Sequence, residues 1–349
     1  MNKDKYKRKF PPKKLNFLTK KSASNFLSLQ NKVSFDKITL FLGCGVSKSA
    51  GLPDWYGFLK NICISFFNHW FFGIKENKLK PSIPPDNLSI AFTEDIYNFF
   101  DNQSEIVKKF LSTDLVILAQ QIKNCIRPID WDYLLHKSLY PNIEFSYDSN
   151  LLISLVKLVI ILKNNLSAVI NYNFDDAFET NLRKENIKFK TISDQYDLID
   201  KNKLNIFHPH GYLPFSGGRK CKRMIISEVD YQSLSNTPLS RENNIQLSFF
   251  FNSTCIFVGL SMSDPNLRKL LRIASSYSNK IHFAFINEEP KEDLFYKMSQ
   301  ALFDKDLEQM RVKVIRYPLI NDDKDPFKFL PLLLEYLKNG IEDNNFIWK

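Results

Sequence analysis

The chain has 349 residues, is 44% hydrophobic and carries a formal net charge of +10. That is enough apolar mass for a large α/β domain with an added lobe, and the polar start has no signal-peptide core, so a soluble, cytoplasmic protein is expected. Five cysteines without a C-x₂-C pair argue against a disulfide framework and a structural zinc, so no metal is expected.

The charge is concentrated at the start: residues 1–32 hold ten Lys or Arg against one Asp. Residues 1–35 are therefore expected to form a basic N-terminal arm, solvated and outside the core. Contact of residues 1–32 with nucleic acid or an acidic partner is the sharper alternative. Residues 36–349 are expected to form the body. Ile38–Leu42 is an apolar run that ends in Gly43-Cys44-Gly45, the pattern of a buried parallel strand entering a glycine turn. Trp55 to Trp70 has helical spacing. Helical patterns continue through Ile106–Leu118, Trp131–Leu139 and Leu151–Leu162, which predicts a helical lobe inserted over about 56–166. The most apolar stretch, Ile153–Leu162, is interrupted by Lys157 and is too short to cross a bilayer. No membrane contact is expected. Strand patterns follow at Ala168–Tyr172, Phe189–Ile192, Asn205–His208, Met224–Ile226, Cys255–Val258, Ile281–Ile286 and Val312–Tyr317. Helical periodicity marks Asn266–Ser275 and about Phe327–Lys338. Strands alternating with helices predict a Rossmann-like α/β fold: a mostly parallel, doubly wound sheet with an inserted helical lobe.

Four polar loops follow apolar strands. Gly43-Cys44-Gly45-Val46-Ser47 runs on to Gly51-Leu52-Pro53-Asp54. Asn171-Tyr172-Asn173-Phe174-Asp175 is the second. His208-Pro209-His210-Gly211 is the third, and Gly259-Leu260-Ser261-Met262-Ser263-Asp264-Pro265-Asn266 the fourth. Each has an ordinary explanation. Glycines make tight turns, Asn and Asp are turn residues, and Asp264 suits the cap of a helix starting at Pro265. Their joint occurrence favours a ligand, because open α/β sheets bind ligands outside the carboxyl ends of their strands. A G-x-G turn also lets backbone N–H groups approach a nucleotide phosphate.

At these residues the chain resembles the SIR2-like (sirtuin-related) family. Gly43-Cys44-Gly45-Val46-Ser47-x₃-Gly51-Leu52-Pro53-Asp54 is similar to the sirtuin G-A-G-[IV]-S-x₃-G-I-P-D. Asn173-Phe174-Asp175 resembles N-I-D and N-Y-D, and His210-Gly211 resembles H-G. Gly259-Leu260-Ser261-Met262 resembles G-T-S-L, Asp264-Pro265-Asn266 the D-P-N of the SIR2-like branch, and Ile286-Asn287-Glu288 an I-N-x-E stretch. The resemblance implies NAD⁺ as substrate. The backbone of Gly43, Cys44, Gly45 and Ser47 would hold the pyrophosphate, with Asp54 in the same motif. Asn173 would orient water or ribose, Asp175 would hold the nicotinamide end, and His210 would act on a ribose hydroxyl or serve as general base. Ser261 and Asn287 would contact the adenosine half, with Gly259 and Asp264 also binding the NAD⁺.

Sirtuin deacylases carry paired cysteines for zinc, which this chain lacks, and their P-D-F-R is here Pro53-Asp54-Trp55-Tyr56. The resemblance therefore implies an NAD⁺ glycohydrolase, closest to the effectors of bacterial anti-phage defence. Such an enzyme would be triggered by a protein partner or by self-assembly. A catalytically silent NAD⁺ or ADP-ribose binding module, and a protein deacylase or ADP-ribosyltransferase, stand as alternatives. His210 is preferred over His208 as the base because glycine follows it. His208 is expected to matter far less.

Overall fold

The computed structural model describes residues 15–76, 78, 80, 114–141, 147, 149–163, 165–194, 196–216, 224–236, 240–288, 293–319 and 327–347. Seven strands form one sheet in the order β3-β4-β2-β1-β5-β6-β7. They are β1 (Ile38–Leu42), β2 (Leu166–Asn171), β3 (Phe189–Ile192), β4 (Leu204–Phe207), β5 (Thr254–Val258), β6 (His282–Glu288) and β7 (Val312–Pro318). The β1–β5, β5–β6, β6–β7 and β3–β4 pairs are parallel. The sheet grows outward from β1 in both directions, which is the Rossmann-like α/β arrangement expected. β1 and β5 end together, Leu42 opposite Val258, and all ten of their residues are buried. Strands covered on both faces read as continuous apolar runs. That is why β1 was legible to the residue.

The chain divides into two compact units. The first holds residues 1–42, 153–169 and 245–349. It contains α1 (Lys20–Val33), most of α6 (Asn150–Leu162) and of α9 (Arg241–Asn252), α10 (Pro265–Tyr277), α11 (Leu294–Gln309) and α12 (Phe329–Ile347). The basic-arm expectation fails here for residues 20–33. Thr19 caps α1 through its hydroxyl, and Ser22, Phe26, Leu29 and Val33 form a buried stripe at helical spacing. Asn25 Nδ2 donates to Val314 O at 2.8 Å, and Arg316 N donates to Ser22 Oγ at 2.9 Å, so α1 is hydrogen-bonded to β7. Charge counting hid this stripe, because the lysines lie on the other face; Lys21, for example, pairs with Glu308 at 2.7 Å. Residues 1–14 of the expected arm lie outside the described residues.

The second unit holds residues 43–152 and 170–244. It contains α2 (Cys44–Lys48), α3 (Trp55–Lys75), α4 (Leu115–Cys125), α5 (Pro128–Leu139), α7 (Ala177–Lys184), β3, β4 and α8 (Glu228–Asn236). α3 packs on α4 and α5. At the end of the expected 56–166 lobe, α6 from Ile153 onward groups with the first unit. Leu151, Leu152, Leu155, Val156, Leu158, Val159 and Leu162 of α6 are all buried. That near-continuous apolar surface belongs to a core helix leading into β2. Met224–Ile226, expected as a strand, has no regular structure; Ile225 N instead donates to His210 O at 2.8 Å. Most of the expected Ile106–Leu118 helix, and Cys221, lie outside the described residues. Among the described residues no helix is long and apolar enough to cross a membrane.

Candidate active site

In the second unit the chain leaves β1 through Gly43, which precedes the short helix α2. Gly51 has φ 84°, the left-handed region where a side chain is strained. There Gly51 N donates to Lys48 O at 3.0 Å and Leu52 N to Ser47 O at 3.2 Å, which closes the loop behind α2. Burial pushes the Cys44 thiol up, so it stays protonated. Asp54 lies at the start of α3. Its Oδ1 accepts from Gly57 N at 2.8 Å and its Oδ2 meets Lys48 Nζ at 2.8 Å. Burial works against the Asp54 charge, but Lys48 and the Gly57 amide outweigh it, and its pKa is lowered. Asp54 is therefore held as a helix cap with an ion-pair partner.

The loop after β2 is deeply buried. Asn173 is fixed at three points: its Nδ2 donates to Gly43 O at 3.0 Å, its N donates to Asn171 Oδ1 at 3.1 Å, and its O meets His208 Nδ1 at 2.8 Å. Asp175 is 2% exposed, and its Oδ1 accepts from Ala177 N at 3.0 Å. Burial raises its pKa to about 6, against the pull of Ser47 and the Ala177 amide. Ser47 Oγ acts on that carboxylate without closing a well-formed hydrogen bond. Asp176 is also buried; its Oδ1 accepts from Tyr147 Oη and Phe215 N, both at 3.1 Å. Three buried polar atoms in this part of the unit close no protein hydrogen bond: Ser47 Oγ, Asn171 Nδ2 and Glu179 Oε2. Leaving a buried polar group without a partner costs about 1–3 kcal/mol.

β4 stops at Phe207, so His208 and His210 do not share a strand face as the alternating pattern implies. They sit in a turn closed by Gly211 N donating to His208 O at 3.2 Å, and Gly211 has φ 107°. The His210 ring is buried with its edge toward Tyr172, 4.7 Å between centroids, and 6.1 Å from Tyr231. Trp55 and Phe58 meet Phe174 at 5.8 and 5.6 Å, and Trp55 meets Tyr231 at 6.2 Å. An aromatic wall thus runs between the Asn173 loop and His210. His208, expected to be a bystander, is instead locked between the Asn173 carbonyl and Glu179, with Nε2–Oε1 2.6 Å. Sequence reading missed Glu179. Its only signal was an acid set among Ala177, Phe178 and Leu182, which are buried on the same helix.

The other expected residues lie in the first unit. Gly259 follows β5 with φ 68°, and Met262 has φ 58°. Ser261 is exposed, with its Oγ 2.6 Å from Ser263 Oγ. Asp264 caps α10, accepting from Leu267 N at 2.7 Å, with Pro265 in the first turn. Asn287 is an exposed residue near the end of β6. The second unit therefore brings together Gly43, Ser47, Asn173, Asp175 and His210. Asp54 and Asp264 have capping roles of their own. Among the described residues, no three His, Cys, Asp or Glu side chains group as metal ligands.

Residues 167–315 match the family model of the SIR2-like domain. That span takes in Asn173, Asp175, His210, Gly259, Ser261, Asp264 and Asn287, and leaves out Gly43 to Asp54. No curated protein matches the chain. Among solved structures, one concerned with the mechanism and regulation of Sir2 enzymes is 12% identical, covers 92% of this chain and 98% of its own, and has a TM-score of 0.40. Another, Sir2Tm bound to a propionylated peptide, is 11% identical with the same coverage and a TM-score of 0.37. Similarity at that level adds nothing to the fold, which rests on the strand order and the parallel pairs.

Proposed function

We propose that this SIR2-like chain is an NAD⁺ glycohydrolase that cleaves the nicotinamide–ribose bond to give nicotinamide and ADP-ribose. The observation that carries the reading is the triply anchored Asn173, tied through its side chain to the Gly43 carbonyl and set within the span of the domain match. The buried orphan donor Asn171 Nδ2 fits a ligand that brings an acceptor to this loop. The backbone of Gly43, Cys44, Gly45 and Ser47 is proposed for the pyrophosphate, Ser261 and Asn287 as adenosine contacts, and Gly259 and Asp264 as further NAD⁺-binding residues.

The chemistry needs few groups. Nicotinamide leaves a cationic ring as a neutral molecule and takes the electron pair of the C1′–N bond, so no general acid is required. Positive charge gathers on the ribose as in other glycosyl transfers. Asn173, with both donor and acceptor groups, positions a water against C1′. As the C1′–O bond forms, His210 accepts the proton that the water loses. Asp175, its pKa raised by burial to about 6, is mostly ionised at neutral pH and offers the nicotinamide carboxamide an acceptor. The aromatic wall of Trp55, Phe58, Phe174 and Tyr231 limits bulk water. By the resemblance of its motifs, the proposed use is NAD⁺ depletion in a phage-infected bacterial cell, set off by a protein partner or by self-assembly.

The test is nicotinamide release from NAD⁺ by the full chain, with NAD⁺ binding measured on the same sample. Release that is lost in Asn173→Ala supports the reading. Tight NAD⁺ binding without release, with the native partner present, replaces it with a silent binding module.

A further inference from the structure

The His208–Glu179 pair takes no part in the chemistry above, yet both side chains are fully buried. A buried ion pair is a poor source of net stability, because desolvation offsets its attraction. Its contacts point to another use. The His208 ring meets Glu179 Oε1 at 2.6 Å on one side and the Asn173 carbonyl at 2.8 Å on the other. Its backbone does two further things: its N donates to Ile192 O at 2.8 Å, and its O accepts from Gly211 N, closing the turn that carries His210. One residue therefore touches the Asn173 loop through its ring and the His210 turn through its main chain.

We propose that the His208–Glu179 pair is a positioning device for the reaction, a clasp that fixes Asn173 and the His210 turn relative to one another. The inference rests on the NAD⁺-cleaving reading of Asn173 and His210. With the Asn173 carbonyl and a Glu179 carboxylate both accepting, each ring nitrogen carries a hydrogen and the ring works as an imidazolium, in line with its raised pKa. The groups facing it are Glu179 from α7, the Asn173 carbonyl and Asp175 from the loop after β2, and the Tyr212 ring at 4.6 Å. Burial opposes the imidazolium charge, but Glu179, the Asn173 carbonyl and Asp175 outweigh it and raise the pKa. When the ring loses a proton, a bare nitrogen faces one of the two acceptors and the clasp opens.

Two variants separate positioning from plain structure. In Glu179→Gln the carboxamide donates to Nε2 of a neutral ring, while Nδ1–H still reaches the Asn173 carbonyl. The clasp then survives without its charge. Nicotinamide release by the wild type should fall as pH rises through the elevated His208 pKa, and that alkaline fall should be absent in Glu179→Gln. His208→Ala should lower kcat by about 100-fold, the scale of a misplaced reacting group, with KM for NAD⁺ changed by less than about threefold. Where His208→Ala does not fold, Glu179→Gln carries the test. An activity-independent reading comes from ¹⁵N-histidine NMR of the full chain, which has only five histidines. His208 should be doubly protonated at neutral pH in the wild type and protonated on Nδ1 alone in Glu179→Gln. A neutral His208 in the wild type, superimposable pH profiles, or an unchanged kcat in a folded His208→Ala would overturn the clasp. A wild type that never releases nicotinamide overturns the functional reading instead, and the NMR result then decides the clasp by itself.

Discussion

The loops after β2 and β4 and the loops after β5 and β6 carry motifs of equal clarity, but they are built differently. In the first pair the motif side chains are buried and hold one another: Asn173 to Gly43, His208 to both Asn173 and Glu179, His210 against Tyr172. In the second pair Ser261 and Asn287 lie at the surface and Asp264 caps α10, while Met262 and Asn266 are buried. A motif built from mutually dependent buried groups fixes the geometry of a reaction. A motif built from a cap and exposed hydroxyl and amide groups gives a shape that a ligand can use without being tightly defined by it.

Substitutions should break this contrast if it is wrong. The largest effect is expected from Asn173→Ala and His210→Ala, each lowering kcat for nicotinamide release by about 10²- to 10⁴-fold, the range of a lost acid–base or water-positioning group. Ser261→Ala should leave kcat within about threefold and act only on KM. Comparable kcat losses at all three positions would erase the distinction. Glu179→Ala comes next. It strands a buried imidazolium, so urea unfolding should show a loss of about 3–5 kcal/mol, and a loss under 1 kcal/mol would mean the pair is not buried as described.

Asp175 sharpens the comparison through pH. Its folded pKa of about 6 lies above the ordinary value of 3.8. The stability it contributes is therefore fully present below pH 3.8 and is lost as pH rises through about 6. The wild type should lose about 3 kcal/mol across that window from this group, and Asp175→Asn should flatten that part of the profile. An unchanged slope would contradict the burial of Asp175. The smallest effect belongs to the other region: Asp264→Ala should cost about 1 kcal/mol, the value of a helix cap, read as a shift in the urea midpoint.

What could be read from the sequence follows the same division. β1 was visible because a strand buried on both faces is a bare apolar run. β2 begins two residues earlier than its pattern suggested, at Leu166 and the exposed Ser167, where apolar periodicity has no grip. α1 was hidden by its lysines, since net charge averages over the two faces that burial separates. Met224–Ile226 looked like a strand because Met and two isoleucines are apolar, yet no ladder accepts it; the Ile225 amide is used by the His210 carbonyl. Asn173 and His210 stood out because short polar motifs after strands are unusual. Glu179 and its contact with His208 did not, because the pairing of two groups 29 residues apart exists only once the chain after β4 returns to the loop after β2.

The account stands on Asn173 and His210 acting as the water-positioning group and the base for cleavage of NAD⁺. The most direct measurement is single-turnover release of nicotinamide, with NAD⁺ saturating, by the wild type, Asn173→Ala and His210→Ala, together with the native partner. Release by the wild type, and its loss in both variants at undiminished NAD⁺ occupancy, is the predicted result. Equal release by all three proteins, or full occupancy of the wild type with no nicotinamide formed, would contradict it.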